Sequence, residues 1–81
     1  SFVQLNNDFY AIVIAANADS KLSPIVEIIA DPKQTILTKR VAVDLSKGKK
    51  HKGIVLAIKK SISDTELDIN MNQFINQHIA A

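Results

Sequence analysis

The run Phe9-Tyr10-Ala11-Ile12-Val13-Ile14-Ala15-Ala16 is the longest apolar stretch of the chain, and it sets the terms for everything around it. Its centre, Ile12-Val13-Ile14, is β-branched at every position, which favours an extended strand over a helix. Polar residues do not alternate through it, so no face is marked as wet. A strand that is apolar on both faces belongs in the middle of a sheet and is covered on both sides. The run therefore predicts the central strand of a small sheet or barrel, with the remaining residues spent on covering it.

The chain has 81 residues, enough for one small domain, and residues 1–81 are read as a single β-rich unit. A domain of that size buries only about 60% of the surface its unfolded chain exposes, so most apolar residues must serve the core. Phe2, Phe9, Tyr10 and Phe74 are the only aromatics, which leaves Ile, Val, Leu and Ala to build that core. The absence of cysteine excludes disulfides, thiolate metal sites and thiol nucleophiles, and fits a reducing compartment such as the cytoplasm. No apolar run reaches the length that spans a bilayer, and no signal peptide is visible. The opening Ser1-Phe2-Val3, inside an apparent strand and without an initiator Met, reads as a piece of a longer protein.

Charge is unevenly placed. The whole chain carries +2, but residues 39–60 hold eight of the ten basic residues against Asp44 alone. The middle is thus basic, and Asp64, Glu66 and Asp68 make the approach to the C-terminus acidic.

Phe2–Leu5 reads as a short strand, and Asn6-Asn7-Asp8 as a tight turn into the apolar run, making a hairpin. After a polar loop over 17–23, Pro24 opens the strand Ile25–Ala30, at the position where a missing amide does least harm. Asp31-Pro32-Lys33-Gln34 fits a type I turn. Thr35–Arg40 then continues in extended form through Val41-Ala42-Val43-Asp44-Leu45, with Val41, Val43 and Leu45 on one face. Ser46–Gly53 predicts an exposed, mobile basic loop, and Ile54–Ile58 the last strand. Met71, Phe74, Ile75, His78 and Ile79 share one face at helical spacing, so a helix is predicted over about 70–79, capped by Asn70 with Gln73 as its capping-box partner.

Catalytic motifs are missing. His51 and His78 are the only imidazoles, in a basic loop and a terminal helix, which is too little for a hydrolytic metal site, so no cofactor or metal is expected. No serine has a histidine and an orienting acid in a recognisable arrangement. Asp64 and Glu66 fit the start of a short helical turn better than acid–base work. The remaining candidate is anion binding by Arg40, Lys47, Lys49, Lys50 and Lys52, set against the plainer reading of a solvated, solubilising loop. The loop has no aromatic for base stacking and no arginine fork, which makes nucleic acid an unfavoured partner.

Several short motifs, taken in order, resemble the small domain that follows the catalytic domain of bacterial HD-GYP proteins. They are Val3-x-Leu5 before a polar turn, the apolar strand, Ser23-Pro24-Ile25-Val26, Val43-Asp44-Leu45-Ser46, and Asp64-Thr65-Glu66-Leu67-Asp68-Ile69 before a terminal helix. The Tyr-Pro and Gly-Thr that usually precede the first strand fall outside the chain, and Ser23 stands where an Arg is frequent. The catalytic His-Asp doublet and Gly-Tyr-Pro signature are absent. The resemblance implies a non-catalytic C-terminal accessory module of a cyclic di-GMP phosphodiesterase, which packs on its own catalytic domain or self-associates as a homodimer. Asp44-Leu45-Ser46-Lys47-Gly48 also resembles the Asp-x-Ser-x-x-Gly element of PilZ domains, but the glycine comes one residue early and the arginine pair is missing. The expected fold is mainly β, a five-or-so-stranded antiparallel barrel or bent sheet with a C-terminal helix. The alternative is a basic small β-barrel that binds nucleic acid or nucleotide phosphates. Neither reading inserts into a membrane.

Overall fold

Residues 1–78 are described by the structure, a computed structural model. Seven strands occur in chain order: β1 (Phe2–Leu5), β2 (Tyr10–Ala15), β3 (Ile25–Ala30), β4 (Ile36–Asp44), β5 (Lys50–His51), β6 (Ile54–Val55) and β7 (Ile58–Ser61). Helix α1 covers Ile69–His78, and short 3-10 turns occupy Leu45–Lys47 and Asp64–Glu66. Five strands form an antiparallel sheet in the order β4-β3-β2-β1-β7, while β5 and β6 pair separately as a small hairpin. The apolar run is the middle strand, as its composition requires. The edges β4 and β7 do not meet, so the sheet is open, not a closed barrel.

Both faces of β2 are used. Ala11 packs on one side with Val3, Leu5, Val26, Ile28 and Val43, joined by Leu45 and Leu56. Tyr10 and Ile12 point to the other side with Ile29 and Ala30, where Met71 of α1 is completely buried. Coverage stops short of what the sequence suggests. Val13 is half-buried, and Ile14 is 51% exposed. The reason lies in register. Phe2 pairs with Ile12, so β1 has run out where β2 continues, and beyond Val13 only β3 accompanies it.

The two tight turns follow their sequences. Asp8 N–H donates to the Leu5 carbonyl at 2.9 Å, with Asp8 itself at φ 69°. Gln34 N–H donates to the Asp31 carbonyl at 2.9 Å, with Gln34 at φ 65°. Each is a type I turn closed by a left-handed residue, the usual three-residue hairpin connection. Strand β4 is interrupted opposite β3. Ile28 faces Val41 but Ala30 faces Ile36, so two steps along β3 match five along β4. The extra residues form a bulge at the sheet edge, where bulges bend a strand and spoil its pairing surface. The other edge, β7, is four residues long and carries Lys59 and Lys60.

The predicted last strand Ile54–Ile58 is instead two short ones. β6 pairs with β5, Leu56 turns into the core, and β7 pairs with β1. The helix begins a residue before Asn70, and its cap is Asp68, whose Oδ1 accepts from Met71 N–H at 2.8 Å. Asn70 is inside the first turn and cannot cap it. Met71 and Phe74 pack on the sheet as predicted, and Ile75 is half-buried; the His78 side chain and Ile79 of the predicted face lie outside what is described. Gln34 ties this tail down: its Oε1 accepts from Asp68 N–H at 2.7 Å, and its Nε2 donates to the Glu66 carbonyl at 3.3 Å.

Met71 is fully buried and Ile69 is 72% exposed, so the helix has one structural face. Met71→Ala is expected to cost about 2–5 kcal/mol, whereas Ile69→Ala should stay within about 0.5 kcal/mol of the parent. Urea denaturation of the two variants measures the difference, and equal losses would show that α1 does not dock through Met71.

Candidate functional site

The predicted basic loop is an ordered hairpin built from several local decisions. Asp44 ends β4 and caps the 3-10 turn Leu45–Lys47, accepting from Ser46 N–H at 2.9 Å and Ser46 Oγ–H at 2.6 Å. Asn17 Nδ2 donates to the same Asp44 oxygen at 2.9 Å and to the Ser23 carbonyl at 2.6 Å, which fastens the 17–23 loop beside it. Gly48, at φ 67°, turns the chain out of the 3-10 turn. Lys50 then pairs with Val55, and His51 with Ile54, across a two-residue connection. The connection is Lys52-Gly53, at φ 50° and 80°. Two positive φ values are the mark of a type I′ turn, whose twist matches that of the paired strands.

Asn6 holds the hairpin to the sheet. Its Nδ2 donates to the Val55 carbonyl at 2.9 Å, and its Oδ1 accepts from Ala57 N–H at 3.2 Å. Its own N–H donates to the Ala57 carbonyl at 2.9 Å. The side-chain amide thus acts as an extra strand residue, and this is why the chain from Ile54 onward divides. His51, read from sequence as solvated, is half-buried. Its ring meets Phe9 edge-on at 5.7 Å, with Asn7 Nδ2 3.4 Å from its Nδ1.

Lys47, Lys49, Lys50 and Lys52 are exposed, and among the described residues none of their ammonium groups forms an ion pair or hydrogen bond. Arg40 is not with them. It lies on the helix side of the sheet, 5.8 Å above the Phe74 ring and 3.4 Å from Glu27. The five-residue anion set is therefore split between two faces. Lys59 and Lys60 are paired with Asp8 and Glu66. No group of three or more His, Cys, Asp or Glu side chains among the described residues is placed to hold a metal ion. Among the same residues no helix is long and apolar enough to cross a membrane.

A second feature lies at the open end of the same face. An apolar groove of about 460 Å³ runs over Val3, Val13, Pro24 and Ile58, with Ser1, Lys21 and Leu22 along it. It forms where the cover over β2 ends, and Leu22 beside it is 90% exposed. Sequence reasoning missed the groove because covering was assigned to the whole apolar run. It also missed Asn6, Asn17 and Gln34, which read as turn formers. Their turns are real; their long-range bonds have no sequence signal.

Two acids are held below their ordinary values. Asp44 is lowered from 3.8 by the Ser46 hydroxyl and amide first, then by Asn17 and the charge of Lys47. Glu66 is lowered from 4.5 by Ser63 N–H and by Lys60. Both are structural caps, ionised at neutral pH and committed to neighbouring groups.

The fold is a small open β-sheet with one helix, carrying a basic hairpin and an apolar groove on one face. The chain belongs to the family described as the KOW domain associated with HD domain, whose model matches residues 2–70. It is thereby an accessory domain of HD-domain proteins. No curated protein and no solved structure matches it.

Asn6→Ala removes two hydrogen bonds and should cost about 1–3 kcal/mol. The Ala57 amide should then exchange with solvent measurably faster by NMR; unchanged exchange would mean the hairpin is held otherwise. For Asp44, a depressed folded-state pKa contributes stability that is present above the ordinary value of 3.8 and lost as pH falls through the lower folded value. Asp44→Ala should therefore melt earlier than the parent at pH 7, and the gap should close as the pH is lowered below that range. A gap that persists in strong acid would assign the effect to shape and not to charge.

Proposed function

We propose that this chain is the non-catalytic accessory module of an HD-GYP-type cyclic di-GMP phosphodiesterase in the cytoplasm, seated on its catalytic domain through the apolar groove. The observation that carries the reading is the match of residues 2–70 to a family defined by its association with HD domains. The ordered motifs from Val3-x-Leu5 to Asp64–Ile69 support the HD-GYP assignment. The groove supplies the contact: Leu22 is almost fully exposed next to half-buried Val13, an arrangement that gains from a neighbouring apolar surface. Phosphodiester hydrolysis then resides in the HD domain, and this module contributes position and stability.

The test uses the parent protein that carries the HD domain. It should hydrolyse cyclic di-GMP, while the 81-residue chain alone should not. Leu22→Asp, at an exposed site, should leave the module folded and speed limited proteolysis between the two domains several-fold. A parent without cyclic di-GMP hydrolysis would falsify the phosphodiesterase reading. If Leu22→Asp leaves proteolysis unchanged but converts a dimer to a monomer in sedimentation, the groove serves self-association instead.

A further inference from the structure

We infer that the β5–β6 hairpin is a contact site for an anionic lipid surface. The inference does not rest on the phosphodiesterase reading. Its first support is unneutralised charge. The other cations of the basic middle are largely paired, Arg40 with Glu27, Lys59 with Asp8 and Lys60 with Glu66. Lys47, Lys49, Lys50 and Lys52 stand in solvent along one short segment that leads from the 3-10 turn into the β5–β6 hairpin, and Asp44 is the acid whose charge interacts with Lys47.

The second support is apolar. Ile54 is 58% and Val55 48% exposed, on the strand that faces Lys50 and His51. Two half-bare aliphatic side chains thus stand in sequence directly after the Lys52-Gly53 tip. The third is conformational. Lys52 occupies a left-handed position at φ 50°, where Asn, Asp or Gly is the less costly choice. A cation is kept at the tip despite that cost. Asn6 and the Phe9–His51 contact fix the hairpin to the sheet, with Val55 across from Lys50 and Ile54 across from His51, so each face of the hairpin carries one exposed aliphatic.

The chemistry selects among anionic partners. Lysine is a flexible point charge and does not grip a phosphate in a fixed geometry, as an arginine fork does. The exposed part of the hairpin has no aromatic on which a base could stack, since the His51 ring is turned onto Phe9. A diffuse sheet of negative headgroups needs neither. It rewards lysines with long stems and admits short aliphatic side chains at the headgroup boundary. Each lysine near such a surface raises partitioning by about fivefold. Four of them give binding that is reversible and salt-sensitive, the strength of one anchoring signal and not of a spanning helix.

Co-sedimentation of the 81-residue chain with vesicles provides the test. The chain should bind phosphatidylcholine vesicles that contain phosphatidylglycerol, ignore pure phosphatidylcholine, and release as salt is raised. Changing Lys47, Lys49 and Lys50 to Ser and Lys52 to Asn should reduce partitioning on the order of several hundredfold. The milder pair Lys49→Ser and Lys52→Asn should reduce it about twenty-five-fold. Ile54→Ser with Val55→Ser should weaken it several-fold, and all variants should keep the parent circular dichroism spectrum. Equal binding to both vesicle types, indifference to the lysine changes, or indifference to the aliphatic changes would each overturn the inference. So would tighter binding of a double-stranded nucleic acid oligomer at the same salt, lost in the quadruple variant.

Discussion

A strand that is apolar on both faces asks for two covers, and a chain this short has little to make them from. The structure meets the demand on β2 with different materials on each side. Helix α1 supplies Met71 and Phe74 to one face. On the other, Leu45 and Leu56, from the two ends of the hairpin segment, close over Ala11, Val26 and Val43. Neither cover extends past the point where β1 ends, and the groove is the remainder. The candidate docking surface is thus a direct product of the balance between one long apolar strand and a limited supply of core residues.

Polar side chains make the joints between these covers. Asn6 joins the hairpin to the β1–β2 turn, Asn17 joins the 17–23 loop to the end of β4, and Gln34 joins the β3–β4 turn to the tail. Asn6 and Gln34 each offer a side-chain donor and an acceptor, and Asn17 donates twice, to backbone and carboxylate groups far away in sequence or in the neighbouring loop. Such bonds contribute little individually, but a polar group left without its partner costs more than the bond returns. The joints therefore settle which of several loosely packed arrangements the covers adopt.

What the sequence made legible follows the same division. The central strand, the β1–β2 and β3–β4 turns, the apolar face of α1 and the basic character of the middle all depend on local pattern, and they stand where the residues put them. The helix cap moved from Asn70 to Asp68 because Met71, three residues on, is the anchor buried against the sheet. The strand after Gly53 divided because Asn6, far away in sequence, bonds to Val55 and Ala57. Lys52-Gly53 was visible only as part of a glycine-bounded loop, since lysine is an unusual first residue for a type I′ turn. Arg40 read as a neighbour of the lysines along the chain, but β4 carries it to the helix face. Contacts between distant residues decided each of these, and periodicity does not encode them.

The edges of the sheet carry a consequence for how this module behaves in company. An exposed strand edge is a template for any other strand. Here one edge is broken by the bulge between Ile36 and Val41, with Lys39 and Arg40 within it, and the other is short and bears Lys59 and Lys60. Both rims deny a second copy a long, straight ladder of hydrogen bonds. The backbone margins are thus poor templates for strand exchange, and the side chains of the faces and the hairpin are the surfaces on which one neighbour could be told from another.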